Sequence, residues 1–222
     1  MARPPRFDTD QLLDAAVRLA ASFGPAGVTM AAVAKEAGAP SGSLYHRFAG
    51  RSALLAEVWL RTVERFQDSY ARVLAAHDDA REAGRAAARH VVAWSRAHPE
   101  ETRLLLYGPG DFGREGWAQE YRSRAERGNR RIFGELDSLA ATLGVQDTEV
   151  VERLTLALVD LPLSVVRRHL REGGTLPAHA EALVEDCATA LLDTLPGAGG
   201  RAHSGSGGRA HPGSGGRARN RD

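Results

Sequence analysis

Cysteine and lysine are almost absent: Cys187 and Lys35 are the only examples among 222 residues. One thiol excludes an intrachain disulfide and offers too few thiolates for a zinc cluster, which fits a reducing cytoplasm. No apolar run approaches the roughly 20 residues a membrane span requires, and the opening MARPPRFDTDQLLDAA has no apolar segment ahead of Asp8 to act as a secretory leader. A soluble, unexported, cytoplasmic chain without a membrane partner is expected. An excess of one charge is missing too, with 29 Lys+Arg against 28 Asp+Glu. Any nucleic-acid surface must therefore be a local patch. His77, His90 and His98 lack helix-spaced partners, so no metal and no cofactor is expected. Nucleophile elbow, phosphate-cradling glycine loop and His-Glu-x-x-His are all wanting, which argues against an enzyme.

What is present is helical periodicity, with no alternating strand pattern. Leu12, Leu13, Ala16, Leu19, Ala20 and Phe23 recur at three- and four-residue spacing. Asp8, Asp10 and Asp14 suit the N-terminus of that helix, where free amides favour negative charge. Gly24, Pro25 and Gly27 end it. Thr29 then opens a short Ala-rich helix over Met30 to Ala37 by accepting a hydrogen bond from a first-turn amide. Gly38 closes that helix in the left-handed conformation, and Pro40 with Ser41 starts a third, Ser41 to His46, of about two turns.

A long helix follows from Arg51 to about His77, with Leu55, Val58, Trp59, Thr62, Phe66, Tyr70 and Val73 on one side. Further helices are expected at 80–97, 100–107, 117–143, 148–171 and 178–195, the fourth of these kinked or interrupted by Pro162. Between two of them GPGDFGREG, 108–116, is dense in glycine and reads as a mobile loop and candidate gate. After Pro196 an eight-residue near-repeat with almost nothing apolar predicts a disordered basic tail that includes His203 and His211.

Two short helices joined by a tight glycine turn, behind an amphipathic first helix, form an arrangement that sets a recognition helix into the major groove. At the residue level GVTMAAVAKEAGAPSGSLYHRFAGRSALL resembles the DNA-binding segment of the TetR family. The resemblance implies an all-α fold of about nine helices: a three-helix N-terminal helix-turn-helix domain, 8–52, then a larger helical ligand-sensing and dimerisation domain, 53–195. A basic arm, 1–7 with Arg3 and Arg6, would precede them and the Gly/Arg-rich tail, 196–222, would follow. It also implies that Ser41 and Gly42 approach base edges and that Tyr45 and His46 meet bases or phosphates. Ser43, Arg47 and Arg51 match phosphate-contacting positions, Thr29 caps the second helix and touches the backbone, and Lys35 adds an electrostatic contact. The family often has histidine where Arg47 stands and lysine where Arg51 stands, and Ala49 and Gly50 replace commoner polar residues. Glycine at 42 leaves no side chain to hold the helix off the groove, whereas Leu44 and Phe48 are expected in the core. On the blander reading Tyr45 packs on the first helix and His46 is merely solvated.

For the body, Trp59, Phe66, Trp94, Trp117 and Tyr121 are candidates for a ligand cavity by resemblance, although aromatics at such spacing are more often core. Asp160, inside LTLALVDLPLSVV, has three readings: contact to a cationic or hydroxylated ligand, pairing with a core arginine, or exposure to solvent. LVDLPLSVVRRHLREGGTLP resembles the penultimate helix and loop of such regulators. A homodimer is expected because one short recognition helix spans only a few base pairs. Its four-helix interface would use the last two helices, with Leu154, Leu158, Val165, Leu183, Cys187 and Leu191 as candidate buried positions. The expected partners are a double-stranded DNA operator, an unknown small-molecule effector and a second copy. The alternative is a helical ligand-binding or protein-interaction module without DNA binding, in which the first three helices are only a structural cap.

Overall fold

The computed structural model describes residues 8–144, 148–171 and 174–195. The basic arm with Arg3 and Arg6 and the tail after Pro196 lie outside them. Among the described residues there is no strand, no helix long and apolar enough to cross a membrane, and no cluster of three or more potential metal ligands.

The first helix, α1 (Thr9–Phe23), starts at a reciprocal cap: Gln11 N donates to Asp8 Oδ1 at 2.7 Å and Asp8 N to Gln11 Oε1 at 3.4 Å. Both free donors of the first turn are thereby partnered. Asp10 stands in the first turn as expected, and both it and Asp14 also have a charged partner. Arg61, on the long helix α4 (Arg51–Ala75), pairs with Asp14 at 2.6 Å and Asp10 at 3.3 Å. Between these helices run α2 (Met30–Glu36) and α3 (Ser41–Tyr45). A first core joins Leu12, Leu13, Ala16, Val33, Leu44 and Phe48 to Leu54, Leu55, Val58, Trp59 and Leu60 of α4.

That core also receives Leu104 from α6 (Pro99–Leu105), together with Phe112 and Trp117. The 108–116 segment, expected to be mobile, is instead pinned. Phe112 is fully buried, Trp117 Nε1 donates to its carbonyl at 2.9 Å, and Ser52 Oγ donates to the Gly116 carbonyl at 3.0 Å. Asp111 accepts from Gly108 N at 2.7 Å, so the glycines bend the chain around one aromatic anchor.

The second core is built by Tyr70 and Leu74 of α4 with α5 (Ala80–Ala97), α7 (Gln119–Thr142) and the C-terminal helices α8 (Thr148–Thr155), α9 (Leu161–Arg171) and α10 (Ala180–Asp193). Gly128 allows α7 to approach α4, since a Cβ there would lie 2.6 Å from Gln67 Oε1. The α8 and α9 helices form one rod joined by a π-helical stretch, Leu156–Asp160, in which Leu161 N donates back to the Leu156 carbonyl. Pro162 explains the irregularity: it has no N–H to return to the Leu158 carbonyl four residues before it. The Tyr70 hydroxyl, donating to that carbonyl at 3.2 Å, supplies a bond from another helix. Burial pushes the Tyr70 phenol well above its usual range, so it stays a donor at any working pH.

Candidate nucleic-acid interface and ligand cavity

Thr29 caps α2 as expected, its Oγ1 accepting from Ala32 N at 3.1 Å. Gly38 closes that helix with φ +65°, and Pro40 occupies the cap position of α3. The third helix is shorter than anticipated, with His46 already its C-cap. Leu44 and Phe48 are buried in the first core and fix the orientation of this single turn. Ser41, Gly42, Tyr45 and His46 therefore all face outward. Tyr45 is 66% exposed, so it does not pack on α1. A Cβ on Gly42 would meet nothing within 4 Å, which leaves the approach to this face open.

Thr29 and Lys35 are exposed, while Ser43 and Arg47 are half-buried. Arg47 Nη1 donates to the Ser43 carbonyl at 3.0 Å, which ties the arginine to the recognition turn. Arg51 Nε donates to the Val28 carbonyl at 2.7 Å and its Nη2 to the Pro25 carbonyl at 2.8 Å. Two guanidinium nitrogens thus brace the start of α4 against the turn between α1 and α2. Arg51, exposed at the surface, has a clamping role that spacing alone could not reveal, because its acceptors are backbone atoms more than 20 residues away.

In the body, α4, α7 and the π segment enclose a cavity of about 250 Å³. Val63, Phe66, Tyr70, Ile132, Phe133, Leu136 and Val159 give it an apolar wall, and Gln67, Asn129, Thr155 and Asp160 add polar groups. Of the candidate ligand residues, Phe66 and Asp160 line it. Asp160 is exposed rather than buried and stands at the mouth, with no ion pair among the described residues.

The other aromatic candidates are corrected to packing roles. Trp59 and Trp117 meet in the first core with centroids 5.6 Å apart, and Tyr121 packs against that core from its edge. Trp94 stacks on His98 at 4.6 Å and meets Phe66 edge-on at 5.2 Å. Sequence reasoning missed Gln67, Asn129, Ile132 and Phe133. Their only signal was a recurrence at three- and four-residue spacing on two helices that meet only in the fold.

Leu154 and Leu158 are fully buried inside their own protomer, so their assignment to a dimer interface is corrected. The heaviest apolar stripe of the penultimate rod is the one its own core takes. Val165, Cys187 and Leu191 are half-buried. Leu183 is 44% exposed, and Leu156, which spacing did not single out, is 45% exposed.

A short capped helix and an outward polar turn, held on a buried base, form a helix-turn-helix, an arrangement that DNA-binding domains use. Residues 12–58 match the family model of bacterial regulatory proteins, tetR family. Solved structures share the whole architecture. The fatty acid degradation regulator FadR from Bacillus halodurans is 18% identical with a TM-score of 0.66, covering 85% of this chain and 100% of its own. FadR from Bacillus subtilis, solved in complex with stearoyl-CoA, is 14% identical with a TM-score of 0.65, over 83% of this chain and 98% of its own. A TetR family transcription regulator from Marinobacter aquaeolei VT8 is 19% identical with a TM-score of 0.65, over 82% and 93%. At these identities the likeness establishes the fold. No match was found among curated proteins.

Proposed function

We propose that this chain is a TetR-family transcriptional regulator, a repressor that binds a palindromic operator as a homodimer and is released by a small-molecule effector. The observation that carries the reading is the course of α4. Its first turns, Leu54 to Leu60, belong to the core beneath the recognition turn, and its next turns, Val63 to Tyr70, wall the cavity. At 1.5 Å rise per residue, Trp59 and Phe66 are only about 10 Å apart along one rigid helix. An effector that favours one tilt of α4 therefore shifts the spacing of two recognition helices, and the misfit lowers operator affinity.

Ser41, Gly42, Tyr45 and His46 read bases, and Thr29, Lys35, Ser43 and Arg47 hold phosphates. Hydroxyls discriminate weakly alone, so sequence choice is shared with DNA shape, while the cations supply salt-sensitive affinity. Dimerisation uses the outward side of α9 and α10, where Leu183 is exposed beside half-buried Val165, Cys187 and Leu191. That a relative of the same fold was solved with stearoyl-CoA supports an effector held in the helical body.

The test is selection of genomic fragments on the purified full chain, followed by footprinting and transcription in vitro. Two protected half-sites about one helical turn apart, or a multiple of it, with transcription falling as they fill, are expected. A single unpaired half-site, or transcription that rises on occupancy, contradicts the dimeric repressor.

A further inference from the structure

The cavity between α4, α7 and the π segment has a chemistry that narrows the effector, given the reading above that an effector binds there. Size is the first constraint. A cavity of roughly 150 Å³ holds a benzene ring, so about 250 Å³ has room for one ring and a chain of roughly four further atoms. A long acyl chain exceeds that space.

Hydrogen bonding is the second constraint. Each hydroxyl in the wall already directs its proton into the protein: Tyr70 to the Leu158 carbonyl at 3.2 Å and Thr155 to the Val151 carbonyl at 2.8 Å. Gln67 Nε2 donates to Asn129 Oδ1 at 3.2 Å, and Gln67 Oε1, on a side chain only 8% exposed, is left with no donor. What a ligand meets is therefore mostly acceptors, headed by the Asp160 carboxylate at the mouth. The Asn129 amide and the second N–H of Gln67 Nε2 are the donors remaining among the lining residues, and no arginine, lysine or histidine is among them. An anionic ligand would face a carboxylate with only neutral amide N–H groups to offset it. A protonated amine meets an opposite charge that is already hydrated and needs no buried ion.

We propose that the cavity selects a compact amphiphilic amine, with a ring or short alkyl body against Phe66, Ile132, Leu136 and Val159 and its ammonium group at Asp160. An acyl-CoA, the ligand class of the Bacillus subtilis relative, is disfavoured on both size and charge.

Calorimetric titration of the full chain with 4-phenylbutylamine, 4-phenylbutan-1-ol, 4-phenylbutanoate and stearoyl-CoA tests this. The amine is expected to bind tightest and the butanoate weakest. Asp160→Asn should weaken the amine about two- to fivefold, the worth of an exposed ion pair, and leave the alcohol unchanged. Butanoate or stearoyl-CoA binding as tightly as the amine, amine binding indifferent to Asp160→Asn, or no binding of the amine at millimolar concentration overturns the proposal. Repeating the amine titration with operator DNA bound separates the two readings. An amine affinity unaffected by operator refutes release by effector, through reciprocal linkage, but upholds the ligand class. Tight binding of the wrong class refutes the ligand class but not the release.

Discussion

Removing the Tyr70 hydroxyl probes the joint on which the body's longest interrupted rod depends. Tyr70→Phe keeps the ring, which is 1% exposed, and deletes only the bond to the Leu158 carbonyl. That carbonyl has lost its α-helical donor to Pro162. A buried hydrogen bond is worth about 1 kcal/mol net, and an acceptor left unsatisfied raises the cost toward 2–3 kcal/mol. A loss of about 1–2 kcal/mol is expected, or roughly 2–8 °C in Tm for a chain of this size. Urea unfolding followed by circular dichroism should show the midpoint falling at constant slope. Pro162→Ala restores a backbone N–H, so in that background Tyr70→Phe should cost less than about 0.5 kcal/mol, the difference being the coupling energy. Equal costs in both backgrounds, or no cost in either, would refute the account of the π segment.

Arg51→Met should cost about 1–3 kcal/mol in stability through two broken bonds to carbonyls, while the slope of log affinity for operator against log salt stays unchanged. Lys35→Ala should instead lower that slope by about one unit, and a similar drop for Arg51→Met would return that residue to the phosphate contacts. Phe112→Ala should destabilise the chain by about 3–5 kcal/mol, as for other buried phenylalanines; a cost under about 1 kcal/mol would mean that the 108–116 loop is free after all. His90 titrates below its ordinary value because of burial first, then the charges of Arg72 and His98. The unfolded chain then binds more protons in the window below pH 6.5, so stability is complete above it and declines as pH falls through it. His90→Gln should flatten that decline between about pH 7 and 5.5, and an unaltered profile would show that His90 is not its source.

Local signals carried the first domain. A capping threonine, a glycine able to adopt positive φ and an apolar pair four residues apart are all encoded within one turn of the residues they organise. The helix at Ala80–Ala97 was legible to the residue for the same reason, beginning at Asp79, whose side chain accepts from Glu82 N, and ending ahead of Pro99. What was not legible depended on partners far along the chain. The 108–116 segment read as a mobile loop because the core that buries Phe112 is assembled from residues far along the chain. The clamping role of Arg51 was hidden because backbone acceptors leave no pattern in side chains. Leu154 and Leu158 formed the clearest stripe near the C-terminus, but a stripe does not say whether the protomer or its partner covers it. Asp160 kept three readings, because an acid inside an apolar run does not say which way the helix faces; it is exposed.

The recognition turn is the centre of the account, and the ratio of affinities for the selected operator and a scrambled duplex tests it most directly. Wild-type chain should discriminate strongly at physiological salt. Tyr45→Ala and His46→Ala, both at exposed positions, should cut that ratio by about tenfold or more each with unfolding midpoints unchanged. A ratio that survives both substitutions would contradict reading by α3.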